Sequence, residues 1–286
     1  MSVGARTWRA GERAIDLDRP LVVGIVNVTP DSFSDGGRFF SAEAAAGHAL
    51  GLLQAGADVV DVGGESTRPG AAPVSADEEI ARVLPAVEAI RQVAPDAIVC
   101  VDTVKADVAR AVLGAGADII NDVSAHRLDP RMSAVCASAG CGVVLMHSRG
   151  AVGEMAKYEL AHYGADPTGE VCTELAAQVK RAEAAGIAGD RIVVDPGIGF
   201  SKRTSHSLGI LKELPRLVDF GYPVMVGLSR KRIVGELAGV ADVSSRDPGT
   251  VAANVFALLQ GARIFRVHEV AMNRQALDVA WNFHRG

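Results

Sequence analysis

The sequence predicts a single-domain α/β protein of the (β/α)₈, or TIM-barrel, class, and three observations predict it. The chain has 286 residues, close to the roughly 250 of an eight-fold βα barrel. Alanine-rich amphipathic segments alternate along its length with short apolar, β-branched runs. Each run stops at a polar residue. Strict alternation implies parallel strands joined by right-handed crossovers, and eight units of each kind imply closure into a barrel. The alternative is an open doubly wound sheet, which normally carries a GxGxxG-type first turn. None follows the first run here.

Taken in order, an N-terminal extension over 1–20 leads into the first strand, LVVGIVNV at 21–28, and the barrel domain is set at 21–286. A first helix is expected near 41–55, with Ser41 as N-cap and acidic Glu43 in its first turn. The second strand lies within QAGADVVDVGGES (54–66), and Ser75 caps a helix over 77–93. AIVCVDT (97–103) is the third strand, followed by a helix at 105–115. GAGADIINDVS (114–124) and SAGCGVVLMHS (138–148) supply the fourth and fifth strands, with a helix at 131–139 between them. A helix at 168–186 precedes the sixth strand in AAGIAGDRIVVDPG (184–197), and one at 204–214 follows it. DFGYPVMVGLSRK (219–231) and QGARIFRVHEV (260–270) complete the strands, with helices at 247–260 and 269–284. Glycine just past a helix supplies the left-handed residue of a C-cap. Apolar runs of this length without alternation read as strands buried on both faces. Long connections at 29–40, 63–75 and 148–167 are the expected home of function.

Composition excludes several classes. Hydrophobic residues make up 49% and charged residues 22%, enough apolar material for one large core. A net charge of −5 gives no global basic field for nucleic acid or an anionic membrane. The N-terminus lacks the apolar core of a signal peptide, and no run approaches the ~18–20 apolar residues of a membrane span. A cytoplasmic protein is expected. Cys100, Cys136, Cys141 and Cys172 show no metal-ligand spacing and read as reduced core or helix residues.

In a barrel the carboxyl ends of all eight strands converge on one face. Here those ends carry Asn27, Asp61, Asp102, Asn121 with Asp122, His147, Asp195, Ser229–Arg230–Lys231, and Arg266 with His268. Asp102, Asn121, Asp195 and Lys231 suit a flat, nitrogen-rich ring, because a carboxylate pairs strongly with adjacent ring N–H donors. Arg266 and His268 suit an anion at the last strand, where barrels often hold phosphate. Asn27 offers an oxygen to Mg²⁺, an ion that accepts one protein ligand and keeps its waters. Polar strand ends also cap strands and satisfy loop backbones. Asp61 and Asp122 are read as organisers of backbone and neighbouring side chains, and His147 as either a site residue or a satisfied strand-end histidine.

At these residues the chain resembles the dihydropteroate synthase family. The likeness runs from about 21 to 284 and rests on GIVNVTPDSFSDGG (24–37), DVVDVGGESTRPGA (58–71), VDTVKADVA (101–109), NDVS (121–124), LMH (145–147), VVDPGIGF (193–200), GLSRKR (227–232) and RVHEV (266–270). It implies a homodimeric, sulfonamide-sensitive transferase of folate biosynthesis. That enzyme joins 6-hydroxymethyl-7,8-dihydropterin diphosphate to p-aminobenzoate, giving 7,8-dihydropteroate and pyrophosphate. By motif, Asp102, Asn121, Asp195 and Lys231 bind the pterin. Thr67, Arg266 and His268 bind the diphosphate, and Asn27 contributes to Mg²⁺ binding. Phe33, Arg68, Pro69, Phe200 and Ser229 shape the p-aminobenzoate pocket, while Asp35 faces the reacting methylene. Asp35, Lys231, Arg266 and His268 form the catalytic set. The chain departs from the family's usual pattern at Ser201–Arg203, where GIGF is followed by Ser-Lys-Arg, at Ala125 and His126 after NDVS, and across 148–167. Three rival functions stay open at this point: a pterin-binding methyltransferase barrel, a pterin-binding paralogue without activity, and a Schiff-base aldolase using Lys231.

Overall fold

Two interleaved sets of side chains along each apolar run decide how this chain folds. On one face they pack against helices; on the other they fill a lumen. In the computed structural model, which describes residues 7–29, 42–67 and 71–285, the chain opens with a hairpin of β1 (Thr7–Ala10) and β2 (Arg13–Asp16). The first barrel unit is β3 (Leu21–Asn27) with α1 (Ala42–Gln54), and the second β4 (Val59–Gly63) with α2 (Ala76–Val93). Next come β5 (Ile98–Asp102) and α3 (Ala106–Gly114), β6 (Ile119–Asp122) and α4 (Met132–Ala139), then β7 (Gly142–Met146) and α5 (Pro167–Ala184). The last units are β8 (Ile192–Asp195) with α6 (Thr204–Lys212) and α7 (Pro215–Val218), β9 (Met225–Val226) with α8 (Arg232–Ala238) and α9 (Asp247–Leu259), and β10 (Ile264–Val267) with α10 (Val270–Arg285).

The strands β3 to β10 are parallel and ordered β8-β7-β6-β5-β4-β3-β10-β9. A parallel bridge between Val194 and Val224 joins the two ends of that order, where the Val194 amide donates to Pro223 O at 3.0 Å. The barrel predicted from sequence is what forms, and all eight strands fall inside the predicted runs. Ser75 is the N-cap of α2, its Oγ accepting from the Glu78 amide at 3.2 Å. Ser41, the other predicted cap, lies outside the described residues. The sequence did not foretell the hairpin, the one-turn α7 or the short α8 preceding α9.

The lumen is filled at its lower level by one residue from every strand: Val23, Val59, Cys100, Ile119, Val144, Val193, Met225 and Ile264. The hairpin closes this end, adding Trp8, Ala10, Ile15 and Leu17 to the same apolar cluster. Trp8 is 1% exposed, and its indole N–H donates to Arg191 O at 2.9 Å. The extension over 1–20 therefore contains the plug of the barrel. Because side chains alternate along a strand, the residue two steps beyond each plug residue points inward again. Five of those eight are polar, Asp61, Asp102, Asn121, Asp195 and Arg266, beside Ile25, Met146 and Gly227. The polar site is thus set directly on an apolar floor.

Truncating Trp8→Ala removes the largest wedge from that floor. We expect a loss of about 3–5 kcal/mol, read as a lower urea midpoint, with the substitution lying at the opposite end of the lumen from the strand-end polar groups.

Candidate active site

Arg266 is the hub of the inward-facing polar layer. Its Nε donates to Asp61 Oδ2 at 2.5 Å and its Nη2 to Asp102 Oδ2 at 2.9 Å. Asn121 Nδ2 also donates to Asp61 Oδ2, at 3.3 Å. Asp61 is fully buried and Asn121 nearly so. Asp61 thus organises its neighbours, as the sequence suggested. Asn27 stands half-buried at the end of β3, where strand pairing sets it beside Gly63, itself opposite Asp102.

Across the mouth, Asp195 Oδ1 accepts from the Gly197 amide at 2.7 Å. Lys231 enters as the N-cap residue of α8. Its Nζ donates to Ile198 O at 2.5 Å and lies 4.3 Å from the centre of the Phe200 ring. A β-carbon on Gly227 would meet Lys231 Nζ at 3.8 Å and Arg266 Cβ at 3.9 Å, so these two cations share one side of the cavity. Ser229 Oγ lies 2.9 Å from His268 Nδ1 and accepts from the His268 amide at 3.1 Å. Arg230 is turned away into a paired contact with Asp247, at 2.8 and 2.7 Å.

Thr67 is half-buried in the loop after β4. Phe33, Asp35, Arg68 and Pro69 lie outside the described residues. The structure therefore brings together Asp102, Asn121, Asp195, Lys231, Arg266, Phe200, Ser229 and His268 around one barrel end.

Desolvation dominates the electrostatics here. Burial raises Asp102 to about 7 against the pull of Arg266, and Asp61 adds to the rise. Burial also raises Asp195, with Lys231 opposing. It lowers Lys231 to about 8, which Asp195 counters and Arg266 reinforces. Burial alone would lower Arg266, but Asp61 and Asp102 outweigh it and its pKa rises. Two buried acceptors, Asp61 Oδ1 and Asn121 Oδ1, meet no hydrogen-bond partner among the described residues. Buried polar atoms are normally paired, so these are open to donors from a bound molecule.

Sequence reasoning gave no role to several residues that hold the loops. Lys105 Nζ donates to Glu65 Oε2 at 2.7 Å and to buried Glu79 Oε2 at 2.5 Å, while Glu65 Oε1 accepts from the Val74 amide at 3.0 Å. This ties the two ends of the β4–α2 loop together. Glu65 and Lys105 sit inside quoted motifs, and that was the available signal. His147 is a bonded strand-end histidine, contacting Glu174 and Lys202. At the NDVS departure, Ala125 and His126 adopt left-handed backbone, with φ of 51° and 62°, a region that favours glycine. Asp122 holds that turn by accepting from the Ser124 amide at 2.7 Å and the His126 amide at 3.1 Å. All four cysteines are free thiols, three of them buried. Among the described residues no helix is long and apolar enough to cross a membrane.

Eight parallel strands, an apolar plug and a charged cleft at the strand ends define a barrel enzyme that holds a small molecule in its mouth. The chain belongs to the family described as pterin binding enzyme, whose model matches residues 23–268. It is 44% identical over 272 residues to the dihydropteroate synthase of Mycobacterium leprae, covering 93% of this chain and 94% of that protein. It is 41% identical to the mitochondrial folate synthesis bifunctional protein of Arabidopsis thaliana, covering 96% of this chain but only 51% of that protein.

Among solved structures, the Xanthomonas albilineans dihydropteroate synthase with 4-aminobenzoic acid aligns with a TM-score of 0.90, 44% identity and 99% of both chains. The same organism's enzyme in complex with 7,8-dihydropteroate aligns at 0.87, with 41% identity, 98% of this chain and 99% of that one. The Yersinia pestis enzyme with a sulfonamide drug aligns at 0.90, with 40% identity, 98% of this chain and 100% of that one.

Replacing Arg266→Met strands Asp61 and Asp102. Removing one partner of such a pair is expected to destabilise the protein by about 3 kcal/mol at neutral pH. Asp102, already raised, would rise further above its unfolded value. Relative to the wild type, this penalty is therefore complete above the variant's folded pKa and fades as pH falls toward about 7, below which Asp102 is protonated in both proteins. Urea denaturation should show a deficit that shrinks as pH falls to about 7.

Proposed function

We propose that the chain transfers the pterin methylene of 6-hydroxymethyl-7,8-dihydropterin diphosphate to the amine of p-aminobenzoate, releasing pyrophosphate and forming 7,8-dihydropteroate for folate biosynthesis. The observation that carries this reading is the cleft itself. Two raised carboxylates, a buried amide with an unpartnered oxygen and a desolvated lysine stand on an apolar floor. Its support is the close likeness, over nearly full length, to dihydropteroate synthases, one of them in complex with 7,8-dihydropteroate.

In this reading Asp102, Asn121, Asp195 and Lys231 grip the ring. The carboxylates and the free Asn121 oxygen accept from ring and exocyclic N–H groups, and Lys231 donates to a ring acceptor. Arg266 spends two donors on Asp61 and Asp102, and its remaining N–H groups, with His268 and Thr67, face the diphosphate. Phe200, Ser229, Phe33, Arg68 and Pro69 enclose the arylamine. Cleavage of the methylene C–O bond sends its electron pair to the departing pyrophosphate. Positive charge grows on the methylene, which Asp35 stabilises, and the arylamine nitrogen supplies the new bond and then loses a proton. Water must be excluded until the amine arrives. Asn27, half-buried at the end of β3, offers one oxygen that would suit Mg²⁺, an ion that takes few protein ligands and completes its shell with waters and substrate phosphates. When bound, Mg²⁺ supplies charge that stabilises the leaving group.

A homodimer is part of the proposal. Phe256 and Leu259 on α9, with Met272, Val279 and Phe283 on α10, leave an apolar face exposed, Phe283 to 84%. Four free thiols suit the reducing cytosol we assign to it.

Incubation with the pterin diphosphate, p-aminobenzoate and Mg²⁺ should yield pyrophosphate and dihydropteroate in equal amounts. Pyrophosphate alone, or neither product, would sink the reaction. The kcat/KM profile for the pterin substrate should be bell-shaped. Its acid limb, near 7, reflects loss of the Asp102 carboxylate, and its alkaline limb, near 8, loss of the Lys231 ammonium. Asp102→Asn should abolish the acid limb. Asp35→Ala should lower kcat far more than it weakens pterin binding, and a sulfonamide should compete with p-aminobenzoate in steady-state kinetics.

A further inference from the structure

The connection from β8 to α6 joins the two halves of the proposed site, with Asp195 at its start and Phe200 near its end. Behind it, Lys202 is 1% exposed. Its Nζ lies 2.9 Å from His147 Nδ1, 3.0 Å from Phe200 O, 3.1 Å from Gly197 O and 3.5 Å from His147 O. A neutral imidazole carries one ring proton, and His147 Nδ1 accepts from Lys202 when that proton sits on Nε2. That nitrogen is 3.0 Å from Glu174 Oε2, and Glu174 is held in turn by Arg149. Burial pulls the Lys202 pKa down, with Asp195 opposing. Burial likewise takes His147 down to about 4, with Lys202 adding to the fall. His147 is therefore neutral and able to accept.

The same connection is held from its front by Lys231 on Ile198 O. Ser201, with a left-handed φ of 49°, fastens it to the β7–α5 segment, accepting from the Arg149 amide at 2.9 Å and donating its amide to Met155 O. Met155 is fully buried and packs in a small cluster with Val104, Val123 and Met146, against which Phe200 rests. Ser201 and the 148–167 segment, which departs from the family pattern, thus meet at one place, the back of the Phe200 wall.

We propose that Lys202, seated on His147, is a positioning residue that sets the arylamine side of the site by clamping the Gly197 and Phe200 carbonyls. It touches neither substrate. Asp195 keeps anchors outside that segment, the pairing of β8 with β7 and the His147 amide on its own carbonyl at 2.9 Å, so removal of Lys202 loosens 197–201 and leaves the pterin end largely in place. The kinetic part of this inference rests on the proposed reaction; the structural part does not.

Lys202→Met tests both parts. Hydrogen exchange should quicken across 197–201 while 193–195 stays protected, and unchanged exchange at 197–201 overturns the clamp whether or not the enzyme turns over. With the wild type active, KM for p-aminobenzoate should rise about tenfold or more and KM for the pterin diphosphate by less than about threefold. An equal rise for both substrates, or a lower melting temperature with neither KM moved, overturns the arylamine assignment. A wild type without turnover overturns the reaction instead. His147→Leu, which deletes the acceptor, should reproduce the split, and His147→Asn, which keeps an acceptor near Nδ1, should largely restore wild-type KM values. This pair also decides the matter if Lys202→Met does not fold. Indistinguishable Leu and Asn variants would refute the role of His147 as the seat.

Discussion

The ion-pair cluster of Arg266 with Asp61 and Asp102 is the constraint on which the rest of the site depends. Three side chains from β10, β4 and β5 meet on top of an apolar floor, where water is scarce and an unpaired charge is expensive. Arg266 must therefore lie low and inward, and by doing so it ties the last barrel strand to the second and third across the lumen. Among the described residues the pairing is incomplete, since Asp61 Oδ1 and Asn121 Oδ1 meet no donor there. A fully satisfied cluster would be more stable and would have no reason to bind anything.

The two sides of the mouth are built differently. On the Arg266 side the groups sit on strands and are fixed by the barrel's own hydrogen bonding. On the Phe200 side they sit on a loop whose carbonyls are gripped by two lysines, one from each face. In the proposed reading, rigid strands would orient the ring, while a clamped loop would leave the second pocket open to retuning by sequence. Two of the chain's three departures from its family pattern, at 201–203 and across 148–167, fall near this second side, and the third, Ala125–His126, follows β6; all leave the strand-borne residues untouched.

Much of this was legible in the sequence because the barrel converts period into place. A run such as VVDVG or IVVD, ending in an inward carboxylate, says both that a strand exists and that its last polar residue faces the cavity. The N-terminal hairpin escaped notice because each strand has four residues, too few for alternation to stand out, although Trp8 and Ala10 on one strand and Ile15 on the other do alternate. The short α8 was hidden between the GLSRKR motif and the longer α9. Lys202 and His147 were unreadable for another reason: their roles come from meeting across 55 positions of chain, and nothing local to either residue announces the other. Asp35, Phe33, Arg68 and Pro69 were legible as motif members only.

The hairpin plug has a consequence for traffic. Among the described residues, Trp8 and Leu17 stopper the lower end of the lumen, and the strand carboxyl ends form the doorway opposite. Whatever settles deepest must arrive first and depart last, and any fragment released from it must leave past whatever waits above. A queue is thus imposed by the architecture itself, before any moving part is invoked.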